Sequence, residues 1–303
     1  MGKGDTTKNL TPQPIRHFVP WLLATPAIAL LLAFFLVPLF LLLRVSFYES
    51  PVDGAGFYRS GTWTTHAYTE LLGEKFGRGI IWFTVVLGVS VAALSLLIGY
   101  PLALFIHSLP RRVKVLALGV VILPKLANVF IVTFGINLLL SRNGPLNSFL
   151  IGLGMIDEPL FLTHNKTGVL IAETYCILPY AVLVLVPALD RIDPTFAAAA
   201  RGLGASRWMV FRRITLPLSL PGVAVAGQLC LIWALGAFVG PALLGGPEQT
   251  TLSVLVQREG TEYSNWPRAA ATAVLTVLTV AVCVVLYALP SAWLRRIGGI
   301  SRV

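Results

Sequence analysis

Six stretches of this chain run apolar for longer than the roughly 20 residues that an α-helix needs to cross about 30 Å of hydrocarbon. They cover about residues 20–43, 80–106, 115–140, 167–189, 222–244 and 269–294. Polar, charged and glycine-rich segments separate them. The pattern predicts an all-α integral membrane protein with six transmembrane helices. An even number of crossings places both termini on the same side.

Composition agrees with that class. Of 303 residues, 56% are hydrophobic and only 12% charged, and the mean hydropathy is +0.81. A soluble domain of this length carries about 25% charge. The basic residues are distributed unevenly. The two tails, the turn near Arg111 and the loop from Asp190 to Pro221 hold Lys3, Lys8, Arg16, Arg111, Arg112, Lys114, Arg191, Arg201, Arg207, Arg212, Arg213, Arg295, Arg296 and Arg302. Only Asp5, Asp190 and Asp193 oppose them. The other three loops, at about 46–78, 141–166 and 245–268, hold seven basic residues against nine acidic ones. Because lysine and arginine in short loops stay cytoplasmic, both termini are expected there. The sequence pI of 9.9 is then an orientation signal, and nucleic acid is not an expected partner.

The division that follows is a cytoplasmic tail over 1–19, a six-helix domain over 20–294 with a cytoplasmic loop at 190–221, and a cytoplasmic tail over 295–303. The first span lacks a small-residue cleavage site and reads as an uncleaved anchor. Cys176, Cys230 and Cys283 fall inside spans and are expected to pack as small apolar groups. Prolines at or inside span ends (Pro38, Pro101, Pro124, Pro179, Pro241, Pro290) suit helices that bend, although proline and glycine are common in membrane helices generally.

The richest segment is the loop Asp193–Pro217, DPTFAAAARGLGASRWMVFRRITLP. Asp193 followed by Pro194 is a helix-start signal, a side-chain acceptor followed by a residue with φ already set. Gly202 and Gly204 interrupt the helix, and Ser206 can cap a second one. Trp208, Phe211 and Ile214 or Thr215 then recur along one side, with Arg207, Arg212 and Arg213 off that stripe. Two readings fit: a plug for a cytoplasmic partner, or a helix pair lying on lipid, with arginines on phosphates and aromatics at the acyl boundary.

The stretch AAARGLGASRWMVFRRITLPLSLPG, from Ala198 to Gly222, resembles the signature loop of ABC-importer permeases. That pattern runs Glu-Ala-Ala, three residues, Gly, then about nine residues to Ile-x-Leu-Pro. Ala199, Ala200, Gly204, Ile214, Leu216 and Pro217 match, whereas Ala198 replaces the glutamate. The segments PLFLLLRVSFYES, LLLSRNGPLN and FVGPALLGGP are similar to the spermidine/putrescine branch of type I importers. Val132-Thr133-Phe134-Gly135-Ile136 stands where that branch often has Arg-Thr-Tyr-Ala-Trp.

The resemblance implies a type I importer permease bundle in a bacterial inner membrane. Its expected partners are two cytoplasmic ATPase subunits, a second permease subunit, an external solute-binding protein and membrane lipid. Its expected cargo is a polyamine or related small organic solute. On this reading Ala199, Ala200, Arg201, Gly204, Ala205, Arg207, Trp208, Phe211, Arg212, Leu216 and Pro217 form the ATPase-coupling loop.

No G-x-x-x-x-G-K-[ST] phosphate loop occurs, so ATP is expected on a partner and no cofactor on this chain. The four histidines show no HExxH spacing and no acidic cluster, so neither catalysis nor a metal is expected. Two charges fall within spans. Lys125 lies about 15 Å deep and Glu173 roughly 9 Å from the outer boundary at 1.5 Å per residue. An intramembrane charge is costly and is expected to face protein or water. Lys125, Asn128, Asn137 and Glu173 are therefore candidates to line a translocation pathway; the alternative is a fixed ion pair joining the third and fourth spans. A self-sufficient secondary transporter or channel is the competing function, and it predicts inverted repeats.

Overall fold

Without water in the bilayer core each backbone polar group must be satisfied within its own segment, and the long apolar runs meet that demand as helices. A computed structural model describes residues 19–50, 57–59 and 61–297, with side chains from 25 to 289 within them. The tails 1–18 and 298–303, with Lys3, Lys8, Arg16 and Arg302, lie outside the described residues. The membrane-length helices are α1 (Val19–Val45), α3 (Lys75–Ser108), α7 (Lys166–Asp190), α10 (Leu216–Leu235) and α13 (Trp266–Ile297). The remaining membrane-length segment runs over Val129–Gly152, with α5 (Val129–Leu140) as its first part, and is preceded by α4 (Arg111–Ile122) and a 3-10 turn at Leu123–Leu126. Among the described residues six helical segments are long and apolar enough to cross a membrane. Short helices α2 (His66–Gly73), α6 (Pro145–Gly152), α8 (Pro194–Gly202), α9 (Arg207–Val210), α11 (Val239–Leu244) and α12 (Leu252–Gln257) join them.

Two boundaries differ from the sequence expectation. The third crossing is not one helix over 115–140. Pro124 sits in the 3-10 turn, Ala127 is extended at ψ 151°, and Asn128 restarts the helix by accepting the Phe130 N–H at 2.8 Å. A proline removes an intrahelical donor and crowds the carbonyl four residues back, and here the chain yields by breaking. The fifth crossing does not run from 222 to 244 either. It begins with α9, continues through a π-turn at Phe211–Thr215 into α10, and stops at Gly236; Val239–Leu244 is a separate helix. The π-turn, closed by Leu216 N–H on the Phe211 carbonyl, widens the backbone just where Pro217 must enter. The last helix also runs past residue 294 to Ile297, into the segment expected as a tail.

The core is α3, α7 and α10, built around Leu87, Val91, Ala172, Ile177, Cys230, Leu231 and Leu235. Lipid is as apolar as leucine, so close fit rather than exclusion of water holds such helices together. Small residues supply the fit. A Cβ on Gly88 would lie 2.8 Å from Leu235 Cδ2, one on Gly222 would strike Ala188, and one on Gly227 would strike the Tyr287 hydroxyl of α13. Helix α1 stands at the periphery against α13, its apolar residues exposed.

Candidate functional site

The polar loop between α7 and α10 is organised at both ends. Asp193 Oδ1 accepts the Thr195 N–H at 2.8 Å, and that bond holds the exposed carboxyl below the usual aspartate range. Pro194 is the first residue of α8. At the other end Gly204 N–H reaches the Arg201 carbonyl at 3.0 Å and Ala205 N–H the Ala200 carbonyl at 3.0 Å. This paired closure is a Schellman stop, and it requires the left-handed φ of +86° at Gly204. Ser206 Oγ then caps α9 through the Met209 N–H at 3.3 Å.

No residue of α8 is buried. Ala199, Arg201, Gly204, Arg207 and Arg212 are exposed, while Ala200, Ala205, Leu216 and Pro217 are half-buried. Trp208 is 67% exposed. Phe211, by contrast, turns toward the bundle, with its ring centroid 5.4 Å from Trp208 and 6.3 Å from Tyr100 of α3. The outward apolar groups on α8 are instead Phe196, 55% exposed, and its C-cap Leu203, 90% exposed. Their seven-residue separation, with Ala199 and Ala200 between, is the sequence signal that marks a helix face. Just before the loop, Asp190 accepts from Lys114 Nζ at 2.7 Å and also bonds His107 Nδ1, fastening the end of α7 to α3 and α4.

The second site lies at the break in the third crossing. Lys125 Nζ is 4.6 Å from the ring centroid of Tyr180 and 4.8 Å from that of Trp233. The two rings are 5.9 Å apart and inclined at 43°, so they form an open notch. A cation on an aromatic face gains about 0.5–1 kcal/mol when exposed and about 2 when water is excluded.

Glu173 is buried behind this notch. Its Oε2 accepts from Trp233 Nε1 at 3.2 Å and its Oε1 from the Gly240 N–H at 3.2 Å. Lys125 thus meets the face of the indole and Glu173 its N–H edge, and no ion pair between them is formed among the described residues. A cavity of about 230 Å³, lined by Lys125, Val129, Val132, Tyr175, Cys176, Tyr180 and Trp233 among others, opens beside the ammonium. An apolar groove of about 510 Å³ adjoins it, sharing Pro124, Val132 and Tyr175. Asn128 caps α5, and Asn137 Nδ2 donates to the Leu243 carbonyl at 3.5 Å; neither lines the cavity. Tyr180 and Trp233 escaped the sequence reading because helical period gives depth and face but not which rings meet.

On the opposite side from the loop, Arg268 at the start of α13 lies 3.1 Å from Glu70 Oε1. Its Nε is 3.1 Å from Glu259 Oε1, an ion pair without hydrogen-bond alignment. Burial pushes the Glu259 carboxyl up, against the pull of Arg268, and Glu70 adds to the rise.

Residues 95–298 match a family model described as "Binding-protein-dependent transport system inner membrane component". The chain is 32% identical over 258 residues to the spermidine/putrescine transport system permease protein PotB of Haemophilus influenzae, covering 85% of this chain and 89% of the relative. It is 30% identical over 257 residues to the PotB of Escherichia coli, covering 85% and 92%. Its fold is similar to a chain of a bacterial alginate ABC transporter solved in complex with an alginate pentasaccharide-bound periplasmic protein. The TM-score there is 0.71 at 24% identity, over 95% of this chain and 98% of that one.

Proposed function

The chain belongs to the family of binding-protein-dependent transport system inner membrane components and is a permease subunit of a type I ABC importer; from that premise we propose that it carries polyamines inward, driven by ATP hydrolysed on partner subunits. The observation that carries the coupling is α8. It is a helix closed at both ends by its own caps, with no buried residue, set between two membrane-length helices. A nine-residue helix with no tertiary burial is marginal alone, and a cleft on a cytoplasmic ATPase supplies the missing partner. Phe196, Leu203 and Trp208 are the anchors of that contact, and Ala199 with Gly204 allow close approach.

The working assembly is this permease, a second permease, two ATPase subunits and an external solute-binding protein. The distribution of basic residues supports cytoplasmic termini and a cytoplasmic α8. The division into tail, six-helix domain and tail follows from the same placement. The cargo class rests on kinship with permeases named for spermidine and putrescine transport. A family dependent on binding proteins argues against the self-sufficient transporter.

The test is uptake of labelled spermidine into proteoliposomes holding the assembled complex. Uptake should require ATP, the ATPase and the binding protein together. Accumulation by this chain alone on an ion gradient would overturn the assignment.

A further inference from the structure

The notch formed by Tyr180 and Trp233 is built independently of the lysine that sits in it. Trp233 belongs to α10 and is oriented through its Nε1 by Glu173 of α7. Glu173 in turn is held by the Gly240 N–H at a place where a Cβ on Gly240 would collide with the carboxylate. Tyr180 is on α7, seven residues further along. The occupant comes from elsewhere, from the 3-10 turn at Leu123–Leu126. Lys125 can therefore leave without dismantling either wall.

Its chemistry also departs from that of a structural charge. A lysine kept only to join two spans would be expected on the neighbouring carboxylate, whereas Glu173 is committed to the indole and the Gly240 amide. What holds the ammonium is two ring faces, the surface by which proteins bind alkylammonium groups, and its free side looks into the cavity of about 230 Å³.

We propose that Tyr180 and Trp233 form an alkylammonium subsite on the translocation pathway and that Lys125 is its tethered occupant, which an ammonium group of the cargo must displace to pass. This rests on the reading of the cargo as cationic. It makes Tyr180 and Trp233 the binding walls, Glu173 a positioning residue for the indole, and Lys125 a built-in competitor.

The chain has six lysines, at 3, 8, 75, 114, 125 and 166, so amine acylation read by mass spectrometry can follow each one in the assembled complex in nanodiscs. The probe is tetramethylammonium chloride, which cannot be acylated, compared with sodium chloride at equal concentration. Acylation of Lys125 should rise roughly 2- to 30-fold with tetramethylammonium, the ratio that one cation–ring contact represents, while the other lysines keep their rates. Trp233→Leu should show the raised rate without the probe, and Tyr180→Leu serves where that variant fails to assemble. A Lys125 rate equal in the two salts overturns the subsite. Displacement of Lys125 in a complex that takes up no polyamine would sink the cargo reading and leave the subsite standing; polyamine uptake with an unmoved lysine would do the reverse.

Discussion

Replacing Gly204 and Gly202 by alanine, one at a time, isolates the backbone conformation of the loop from its packing. A Cβ at either position meets nothing within 4 Å, so neither change creates a clash. Only the dihedral differs: Gly204 has φ +86°, whereas Gly202 is the last residue of α8. Alanine in the left-handed region costs about 1–2 kcal/mol. Escaping that strain means undoing the Schellman closure and its two backbone hydrogen bonds, each worth about 0.5–1.5 kcal/mol. At Gly202 the sign reverses, since alanine favours helix over glycine by about 1 kcal/mol. Gly204→Ala should therefore depopulate the docked geometry of α8 by roughly 5- to 30-fold, and Gly202→Ala should preserve it. Because α8 buries nothing, the membrane bundle should keep its melting temperature in both. The assay is the number of solute molecules imported per ATP hydrolysed by the reconstituted complex. That ratio should fall for Gly204→Ala and hold for Gly202→Ala, with Gly204→Asn between, because asparagine tolerates the left-handed region. Equal ratios in the two alanine variants would refute the reasoning, as would a Gly204→Ala loss accounted for wholly by less folded protein.

Gly240→Ala drives a methyl into the Glu173 carboxylate, an overpacking that costs about 1–3 kcal/mol. It should lower the melting temperature and release Trp233, read as a shift in indole emission; an unchanged spectrum would mean that Gly240 does not position the ring. Arg268→Met leaves Glu259 buried beside Glu70 without its cation, at a cost of about 3 kcal/mol. Burial holds the Glu259 pKa above its unfolded value, so the folded state takes up the proton first. The defect should be largest above that raised pKa and shrink as pH falls through it, whereas a melting-temperature deficit constant with pH would point to lost packing instead.

The features legible in the sequence were those encoded locally. Asp193, Ser206 and Gly204 act within one turn of themselves, and their roles follow from residue type and spacing. The crossings were legible because a bilayer forces an apolar run into one helix. Where the expectation missed, competing local signals had been averaged over a window. Pro124 and Asn128 break an apolar stretch that hydropathy alone joins. Hydropathy starts the fifth span at 222, yet a π-turn at Phe211–Thr215 joins α9 to α10 and carries the helix through Pro217. Helical spacing groups Phe211 with Trp208 on one side, while Tyr100, more than a hundred residues earlier, meets its ring on the bundle side. The notch is the extreme case. Lys125, Tyr180 and Trp233 come from three separate elements, the 3-10 turn, α7 and α10, and nothing local to any of them names the other two.

The placement of the two walls relative to the loop connects both proposed sites. Tyr180 lies on α7, which ends at Asp190, and Trp233 lies on the helix that starts at Arg207. The exposed helix α8 is the link between those two elements. Helix α10 with α9 and the π-turn before it runs 29 residues from Arg207 to Leu235, so Trp208 and Trp233 stand about 37 Å apart along a single rod. A rod of that length converts a small displacement at the loop into a tilt at the notch without requiring a chain of side-chain switches. Lys125 is not on either rod. The helix before it, α4, is tied to the end of α7 by Lys114 on the partly exposed Asp190 at 2.7 Å, a contact worth no more than about 1 kcal/mol, and by Ala117, Leu118 and Val121 packed against the cluster that holds Val182, Leu185 and Leu189. Movement of α8 against the proposed ATPase partner would act on the walls of the notch along the backbone of α7 and α10, and on its occupant through side-chain packing and that ion pair. A weak cation–ring contact is poorly suited to resist such a separation, and for the same reason it is well suited to release the lysine and admit another ammonium in its place.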